Sequence, residues 1–299
     1  HEYPTAEDNS SDEYRPVREK RQPVVVECYE VMMKLLDEEI EKCKDLPSRD
    51  AVCSENNGKD SKGEQNPWCW TDTEKEEAIA WIESPVNRVR FLRARNWDVS
   101  VSTELMMNAV KWRRTFQGKG VNNITSDDVI NEIKSGKAFF HGKDKQGRVI
   151  SYVIARKHDN SERDLAEVER FCVWMMEREA NILKSHNIHR SCIVFDLGGF
   201  SLKNMDYQFM KFMIYLLQNY YPDTLGVALV VNSPWYFTGC WSMLKMWIDP
   251  VSQKKVNFVN YAQLNDYIDP SIIPKSFEGT EDWEYDASVY LEQLKNDKN

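Results

Sequence analysis

Residues 191–256 constrain the fold of this chain most strongly, because apolar runs alternate there with helical patterns. An apolar run at 192–196 leads into an aromatic-rich helix, and the turn Gln-Asn-Tyr-Tyr-Pro-Asp at 218–223 precedes a second apolar run at 225–231. A segment that is almost wholly apolar follows at 234–248. Strands that are apolar throughout and alternate with helices predict a parallel sheet covered on both faces.

The length and amino-acid composition are those of a globular protein. A length of 299 residues allows one large domain or two modest ones, and 41% hydrophobic and 12% aromatic residues are typical of a folded core. The net charge of -9 opposes nucleic acid as the main partner, because phosphate contacts need clustered Lys and Arg. No run reaches the roughly 18 apolar residues of a membrane span, and no secretory signal pattern begins the sequence. We therefore expect a soluble protein.

The seven cysteines do not form a recognisable framework. Their number is odd and the sequence has no CxxC, which is unfavourable for disulfides and for a zinc site. Three of them, Cys172, Cys192 and Cys240, lie in apolar segments, where a reduced thiol behaves as a small hydrophobic group. A reducing compartment is the expectation, with no bound metal.

The N-terminal part is divided by composition. Residues 1–23 are acidic and poor in apolar side chains, which predicts a disordered tail. Residues 24–70 combine a helix through Cys43 with a polar insert from 45 to 65, and Trp68 and Trp70 are expected to dock onto a neighbouring surface.

Residues 71–120 predict a small, charged helical subdomain. Thr71 and Glu74 have the spacing of a capping box, and Asp98 is the expected N-cap of a later helix. In that later helix, the side chains predicted to share one buried face are Val101, Leu105, Ala109, Trp112 and Phe116.

Residues 121–299 predict an α/β domain. Apolar runs at 138–141 and 148–154 flank a turn sequence and indicate two paired strands. A helix is expected from 163 to 185, and a last short strand at 256–259. Together with the apolar runs at 192–196 and 225–231, this predicts a mixed, mostly parallel sheet flanked by helices.

Catalytic motifs are weak. Asp-Leu-Gly-Gly at 196–199 resembles a phosphate loop, but a tight strand-to-helix turn is the commoner explanation, and no GxGxxG or GxxxxGK[ST] is present. His186 and His189 have a metal-like spacing, yet they lie at a helix end beside Arg190, a setting that is more often surface. We expect no enzyme activity, although a phosphotransferase that uses 196–199 is a remaining alternative.

The segment 234–248 allows two interpretations. A helix that is apolar on all sides is either enclosed in a core or meets lipid on one side. Full enclosure is difficult in a domain of this size, and the composition alone leaves both interpretations open.

A helical signature, Arg-Phe-Leu-Arg-Ala-Arg-Asn-Trp-Asp at 90–98 with Lys-Trp-Arg-Arg at 111–114, is followed by five separated motifs: 141–148, Asp196-Leu197, Asn-Tyr-Tyr-Pro-Asp at 219–223, Asn-Ser-Pro-Trp at 232–235, and Asp-Pro-Val to Lys at 249–255. In order and approximate spacing these motifs resemble the CRAL-TRIO family, and the nearest likeness is to fungal secretory-type phosphatidylinositol transfer proteins, as a divergent homologue. The similarity covers roughly residues 75–290.

This resemblance implies a CRAL-TRIO lipid-binding fold with an apolar pocket that is floored by the sheet and closed by a gate helix. The gate would comprise Trp235, Tyr236, Phe237, Trp241, Leu244 and Trp247. The positions that match the family's phosphatidylinositol head-group residues are Arg95, Phe140, Asp144, Asp223, Ser252 and Lys255. Lys255 and Arg95 would offer charge to the phosphate, and Asp223 would accept hydrogen bonds from inositol hydroxyls.

The second-ligand pocket departs from the pattern of the relatives that also hold phosphatidylcholine. Those relatives use two tyrosines and a Ser/Thr pair, whereas this chain has Ser151, Met176, Ser191 and Ile193 at these positions. Phosphatidylcholine exchange is therefore in doubt, and a sterol, another lipid or haem could replace it.

The resemblance implies a non-enzymatic function: phosphatidylinositol is bound and transferred between membranes, or presented to lipid kinases. The expected partners are a phospholipid, a transient membrane surface and lipid kinases, but not nucleic acid, and the protein would be a cytoplasmic monomer, peripheral at membranes. No cofactor is required beyond bound phosphatidylinositol. The alternative is a sensor or scaffold that carries a different hydrophobic ligand.

Overall fold

A computed structural model describes residues 21–49, 51, 68–184 and 190–296. The chain divides into two compact units, with a boundary between Ile124 and Thr125, and each unit is described by itself. The tail predicted at 1–23 lies outside the described residues as far as residue 20, and its last two residues already belong to the first helix. Most of the predicted polar insert also lies outside the described residues.

The N-terminal unit is helical, as predicted. Its helices are α1 (Gln22–Cys43), α2 (Asp72–Glu83), α3 (Pro85–Ala94) and α4 (Val99–Thr115). The side chains that α1 buries recur at intervals of three, four or seven residues and face the other three helices: Val25, Cys28, Met32, Leu36 and Cys43.

The predicted helix starts are confirmed. The hydroxyl oxygen of Thr71 accepts from the Glu74 amide at 3.2 Å, and the Glu74 carboxylate accepts from the Thr71 amide at 3.0 Å. Asp98 caps α4 by accepting from the Val101 amide. Two otherwise unpaired amides are thereby satisfied at the start of α2.

The predicted buried face of α4 is only partly correct. Ala109 and Phe116 are buried as predicted, but Val101 is 46% exposed, and the helix also buries Ser102, Met106 and Val110. Ser102 is fully buried because its hydroxyl donates to the Phe91 carbonyl of α3 at 3.4 Å, so two helices approach each other through a small side chain. A pattern based on hydrophobicity alone assigns this serine to the outside.

Trp68 and Trp70 dock as predicted, and Arg114 is what they dock on. The guanidinium lies 4.8 Å from the Trp68 ring centroid and 4.5 Å from that of Trp70. It also donates to the carbonyls of Trp68 and Cys69 at 2.6 and 2.8 Å and to Glu74 at 3.0 Å. Planar stacking together with several fixed donors is a task that arginine can perform and lysine cannot.

The C-terminal unit is an α/β structure with a five-stranded sheet in the order β1-β2-β3-β4-β5. β1 is antiparallel to β2, and all other pairs are parallel, so the predicted mixed, mostly parallel sheet is confirmed. The strands are β1 (Ala138–Lys143), β2 (Val149–Ile154), β3 (Ser191–Asp196), β4 (Leu225–Val231) and β5 (Val256–Val259). The helices are α5 (Ile130–Ser135), α6 (Leu165–Lys184), α7 (Tyr207–Asn219), α8 (Phe237–Leu244), α9 (Pro250–Gln253) and α10 (Ala287–Asn296).

One face of the sheet is sealed by the C-terminal segment. The strand residues on this face are almost fully buried, among them Ile150, Tyr152, Val194 and Leu229 at 0% exposure. They pack against side chains from a series of short turns, namely Leu264, Ile268, Ile273 and Phe277.

The opposite face is covered less completely. α7 and α8 pack there against Phe195, Val230 and Val256. Consecutive parallel strands step in one direction across the sheet, so right-handed crossovers place their helices on this same face. Val153, Ile193 and Phe195 nevertheless remain half-buried, which leaves part of an apolar floor accessible.

Candidate functional site

Charged residues collect where the parallel strands begin. Arg148, Arg190 and Lys255 directly precede β2, β3 and β5, and Asp223 lies two residues before β4. Because the amino ends of parallel strands meet at one edge of a sheet, the topology brings these four side chains to a common edge. We call this group, together with Asp144, the amino-edge cluster.

Asp223 is the acceptor that joins two cations. Arg190 donates to its Oδ1 from Nη2 at 2.6 Å and from Nε at 3.1 Å, and Lys255 Nζ lies 3.9 Å from the same oxygen. Lys255 also donates to the Leu225 carbonyl at 2.6 Å. The side chains of Asp223 and Lys255 are 12% and 18% exposed, so both remain within reach of a ligand.

Asp144 forms a second ion pair in the cluster. Its Oδ2 accepts from Arg148 Nε at 2.6 Å, and its Oδ1 accepts from the amides of Gln146 and Arg148. Both partners are buried, at 5% and 6% exposure. Asp144 thus fixes the turn between β1 and β2 and the direction of Arg148 at once.

The structure brings together some of the predicted head-group residues. Asp144, Asp223 and Lys255 belong to the amino-edge cluster. Ser252 is half-buried on α9, where its amide donates to Asp249 at 2.9 Å. Phe140 is half-buried on β1.

Arg95 belongs to the N-terminal unit and lies outside its helices. It lies just beyond the last residue of α3, with φ at -123°. Its guanidinium donates to the Ala94 carbonyl at 3.0 Å. The helix ends there because the next residues, Asn96 and Trp97, adopt positive φ.

Three of the four second-ligand residues, Ser151, Ser191 and Ile193, lie on strands along the less covered face of the sheet. Phe140 pairs with Ser151, Ser151 with Ile193, and Ile193 with Ala228, which gives one continuous row across four strands. Ser191 is buried at the start of β3, where its hydroxyl donates to the Thr224 carbonyl at 3.3 Å. Met176 is half-buried on α6.

The apolar segment at 234–248 is helical only over α8, and it is not enclosed on all sides. Phe237, Cys240 and Leu244 are buried against the sheet side, while Trp235 is 87% exposed and Met246 is 73% exposed. The remaining gate residues range from exposed Tyr236 to half-buried Trp241 and Trp247. The segment therefore has one side in the core, and it exposes large apolar side chains on both flanks of α8.

The loop at 196–199 is a structural turn. Asp196 is 0% exposed, and its Oδ1 accepts from the Tyr261 hydroxyl at 2.8 Å and from the Gly198 amide at 2.9 Å. Arg156 occupies the other carboxylate oxygen. Burial, together with the hydrogen bond to Asp196, raises the pKa of Tyr261 to about 12. A carboxylate held in this way has no oxygen directed toward a nucleotide.

Sequence reasoning missed Arg148 and Arg190. Arg190 was expected at a surface, yet it is 4% exposed, and the neighbouring His186 and His189 lie outside the described residues. Both arginines immediately precede an apolar strand. A basic residue in this position, repeated before several parallel strands, is the signal that could have found them.

Two features are absent from the part of the chain that the structure describes. It contains no group of three or more His, Cys, Asp or Glu side chains placed to hold a metal ion. None of its helices combines the length and the apolar character that crossing a bilayer requires.

Comparison with known proteins now identifies the class. Residues 133–279 match the family described as CRAL/TRIO domain, and the mixed sheet of the C-terminal unit spans this range. Residues 133–279 are therefore a CRAL/TRIO domain.

Three individual proteins show how similar the chain is to known sequences. The chain is 40% identical over 216 residues to CRAL-TRIO domain-containing protein C3H8.02 of Schizosaccharomyces pombe, which covers 70% of this chain and 48% of that protein. It is 31% identical over 211 residues to phosphatidylinositol transfer protein CSR1 of Eremothecium gossypii, covering 67% of this chain and 48% of that protein. SEC14 cytosolic factor of Yarrowia lipolytica is 32% identical over 187 residues, or 56% of this chain and 37% of that protein. The chain spans about half the length of the first two relatives.

A solved structure shows the same fold. The crystal structure of Sfh5 matches with a TM-score of 0.60 at 14% identity and covers 95% of this chain and 100% of that chain.

Proposed function

We propose that this chain binds phosphatidylinositol in an apolar pocket on the less covered face of its sheet, and transfers it between membranes or presents it to lipid kinases. The proposal makes the protein a non-enzymatic carrier that acts in the cytoplasm at membrane surfaces. The named activity of the CSR1 relative supports it, as does the order of the sequence motifs.

The observation that carries the proposal is the unequal burial of the two sheet faces. Residues at the centre of one face are 0% exposed, whereas Val153, Ile193 and Phe195 on the other are half-buried. A domain with an adequate core would cover such a surface. An apolar floor left accessible beside an exposed aromatic segment is typical of a site for an apolar ligand.

The energetics favour an acyl chain as that ligand. Removing each CH₂ from water is worth about 0.8 kcal/mol, so a chain of about 16 carbons is worth on the order of 13 kcal/mol. A carrier has to offer a comparably dry surface, and the aromatic segment around α8 would close over it. Exposed Trp235 and Met246 would then release the lipid by contacting a bilayer.

The amino-edge cluster suits the inositol phosphate. Lys255 would contact the phosphate and Asp223 would accept from inositol hydroxyls, with Ser252 as a further proposed contact. Phe140 contributes apolar surface, and Asp144 acts by positioning Arg148.

Phosphatidylcholine is not the proposed second ligand. Ile193 and Met176 offer no hydrogen bonds to a choline phosphate, and the hydroxyl of Ser191 already donates to Thr224. A less polar second ligand fits this row better. The alternative function is a sensor or scaffold that carries a sterol, another lipid or haem. Such a ligand would occupy the same pocket but would not make the head-group contacts.

A transfer assay tests the proposal. Labelled phosphatidylinositol is moved from donor to acceptor vesicles by the wild type and by Lys255→Ala, Asp223→Ala and the control Lys254→Ala. The account expects transfer by the wild type and the control, with roughly tenfold or greater loss in the two cluster variants. Absence of transfer by the wild type, or full activity in both cluster variants, would contradict it.

A further inference from the structure

The outer side of α7 carries an exposed stripe. Tyr207, Lys211 and Tyr215 follow one another at intervals of four residues, which places them on one side of the helix. All three are exposed, and Tyr215 reaches 55% exposure. The ammonium of Lys211 has no hydrogen-bond or ion-pair partner among the described residues.

This stripe adjoins the end of α8. The centroids of the Tyr207 and Trp247 rings lie 6.4 Å apart, and the Gln218 amide donates to the Trp247 carbonyl at 2.8 Å. Tyr207 and Gln218 are about three helical turns apart and lie on the same side of α7, so Trp247 extends alongside that side. Lys211 lies between them on this side. It is therefore close to the residues that end α8.

The end of α8 exposes side chains of the same kinds. Lys245 directly follows α8 and is exposed, and Met246 is 73% exposed. Gln253 of α9 donates to the carbonyls of Lys245 and Ile248 at 2.8 and 2.7 Å, which fixes this corner of the backbone. The ammonium of Lys245 also lacks a partner in the described part of the chain. We call the following residues the lysine-tyrosine face: Tyr207, Lys211, Tyr215, Lys245 and Met246.

Acidic side chains are scarce in the segments that form this face. The whole chain has a net charge of -9, yet Asp249 is the only acidic residue in α7 and in residues 232–258. Its carboxylate accepts from the Val251 and Ser252 amides at 2.9 Å each, so it caps α9. These two segments are thus locally positive on an acidic protein.

The combination of lysine, tyrosine and methionine fits the interface of a bilayer. Tyrosine places an apolar ring and a polar hydroxyl at the level of the lipid head groups. Lysine keeps its ammonium at that level while its stem covers apolar surface. Anionic lipids add an electrostatic attraction for each ammonium, which a neutral bilayer does not offer. The charge of this face is therefore complementary to an anionic membrane.

We propose that the lysine-tyrosine face docks the protein on bilayers that contain anionic phospholipid, so that it exchanges lipid there in preference to neutral membranes. The occupant is the head-group layer of such a bilayer. Lys211 and Lys245 contact its phosphates and carboxylates, while Tyr215 and Met246 enter the interface. This inference rests on the proposed function, in which lipid is exchanged at a membrane surface.

The test measures binding of the full chain to two kinds of vesicle by co-sedimentation. One kind is phosphatidylcholine alone, and the other contains about 30% phosphatidylserine, an anionic lipid that is not the proposed cargo. The proteins are the wild type, the double variant Lys211→Gln/Lys245→Gln, and the matched control Lys134→Gln/Lys295→Gln. The control removes two exposed lysines from α5 and α10, so both variants change the net charge equally. Thermal melting first confirms that each protein is folded.

The wild type is expected to bind the anionic vesicles at least about tenfold more tightly than the neutral ones, and about 0.5 M salt should remove most of this difference. Lys211→Gln/Lys245→Gln should bind the anionic vesicles about tenfold or more weakly, with unchanged binding to the neutral ones, while the control stays within about threefold of the wild type.

Three results would overturn the inference: equal binding of the wild type to both vesicles, equal loss in the two double variants, or undiminished binding by Lys211→Gln/Lys245→Gln. The last result would leave an acidic protein segment as the occupant of this face. Transfer of labelled phosphatidylinositol between the same vesicles is recorded in parallel. A wild type that prefers anionic vesicles but transfers no phosphatidylinositol would refute the proposed function instead.

Discussion

At the scale of single residues, Gly226 shows how closely the amino-edge cluster is packed. A Cβ atom at this position would lie 2.8 Å from Arg148 Cδ and 2.9 Å from the Ser191 carbonyl oxygen. The second of these atoms belongs to the backbone and cannot move aside easily. A residue without a side chain therefore lets Arg148 lie across the start of β4.

Gly226→Ala is accordingly expected to lower the free energy of unfolding by about 1–3 kcal/mol, because Arg148 or β3 has to shift. Urea denaturation measures this. Gly239→Ala is the matched control: a Cβ there meets nothing within 4 Å on α8, and the helix should gain about 0.5–1 kcal/mol. Equal stability of the two variants would contradict the packing described for Gly226.

His158 occupies a site that selects its neutral form. Lys137 Nζ lies 3.2 Å from Nδ1, and an ammonium can only donate, so the proton belongs on Nε2, 3.3 Å from Asp206 Oδ2. Burial, and then the charge of Lys137, lower the pKa of His158 below its ordinary value, although Asp206 opposes this. The folded state thus resists protonation of this ring.

Protonation of His158 should therefore make the stability of the folded state depend on pH. As the pH falls through the ordinary histidine range, the unfolded chain takes up the proton before the folded chain does, so stability decreases. His158→Gln should reduce the loss of stability between about pH 7.5 and 5.5, measured by thermal melting across that range. At about pH 8 the ring is neutral in both states, so the slopes of the wild type and of His158→Gln should be equal there. An identical pH profile for both proteins would show that His158 does not titrate as described.

At the scale of elements, α8 and its flanks have two unlike sides. The inner side, with Phe237, Cys240 and Leu244, is core, while Trp235 stands almost free of the protein at 87% exposure. Composition alone could not separate these sides, because aromatic residues occur on both. Only packing against β4 and β5 distinguishes the inner positions from the outer ones.

Trp235→Ala is expected to weaken binding to phospholipid vesicles about tenfold, since burying a large apolar side chain in lipid is worth about 1.5–3 kcal/mol. Vesicle co-sedimentation measures this. The control is Val289→Ala, another exposed apolar position at 51% exposure on α10. Neither change should alter the unfolding free energy by more than about 0.5 kcal/mol. Equal vesicle binding by both variants would show that the outer side of this segment does not contact the membrane.

At the scale of the whole molecule, the sequence predicts the sheet well because its strands are continuous apolar runs. The strands at 225–231 and 256–259 agree with β4 and β5 at both ends. The helix starts at Thr71 and Asp98 are likewise readable, because capping depends on neighbours three residues away. Capping residues and uninterrupted apolar runs can therefore be recognised from the sequence alone.

The predictions that failed depend on contacts between distant residues. Ser102 is buried because a carbonyl of another helix accepts from it, and Arg190 because a turn 33 residues later supplies its carboxylate. The amino-edge cluster could have been predicted in outline, since strand order alone brings the amino ends together, but its pairings could not.

Native mass spectrometry tests the central claim most directly. The purified chain is incubated with vesicles of phosphatidylinositol and phosphatidylcholine in equal amounts, separated from them, and weighed with its bound lipid. The account predicts one phosphatidylinositol per chain, with phosphatidylcholine absent or minor. A chain that retains phosphatidylcholine as readily, or that retains no phospholipid while carrying a sterol or haem, would contradict it.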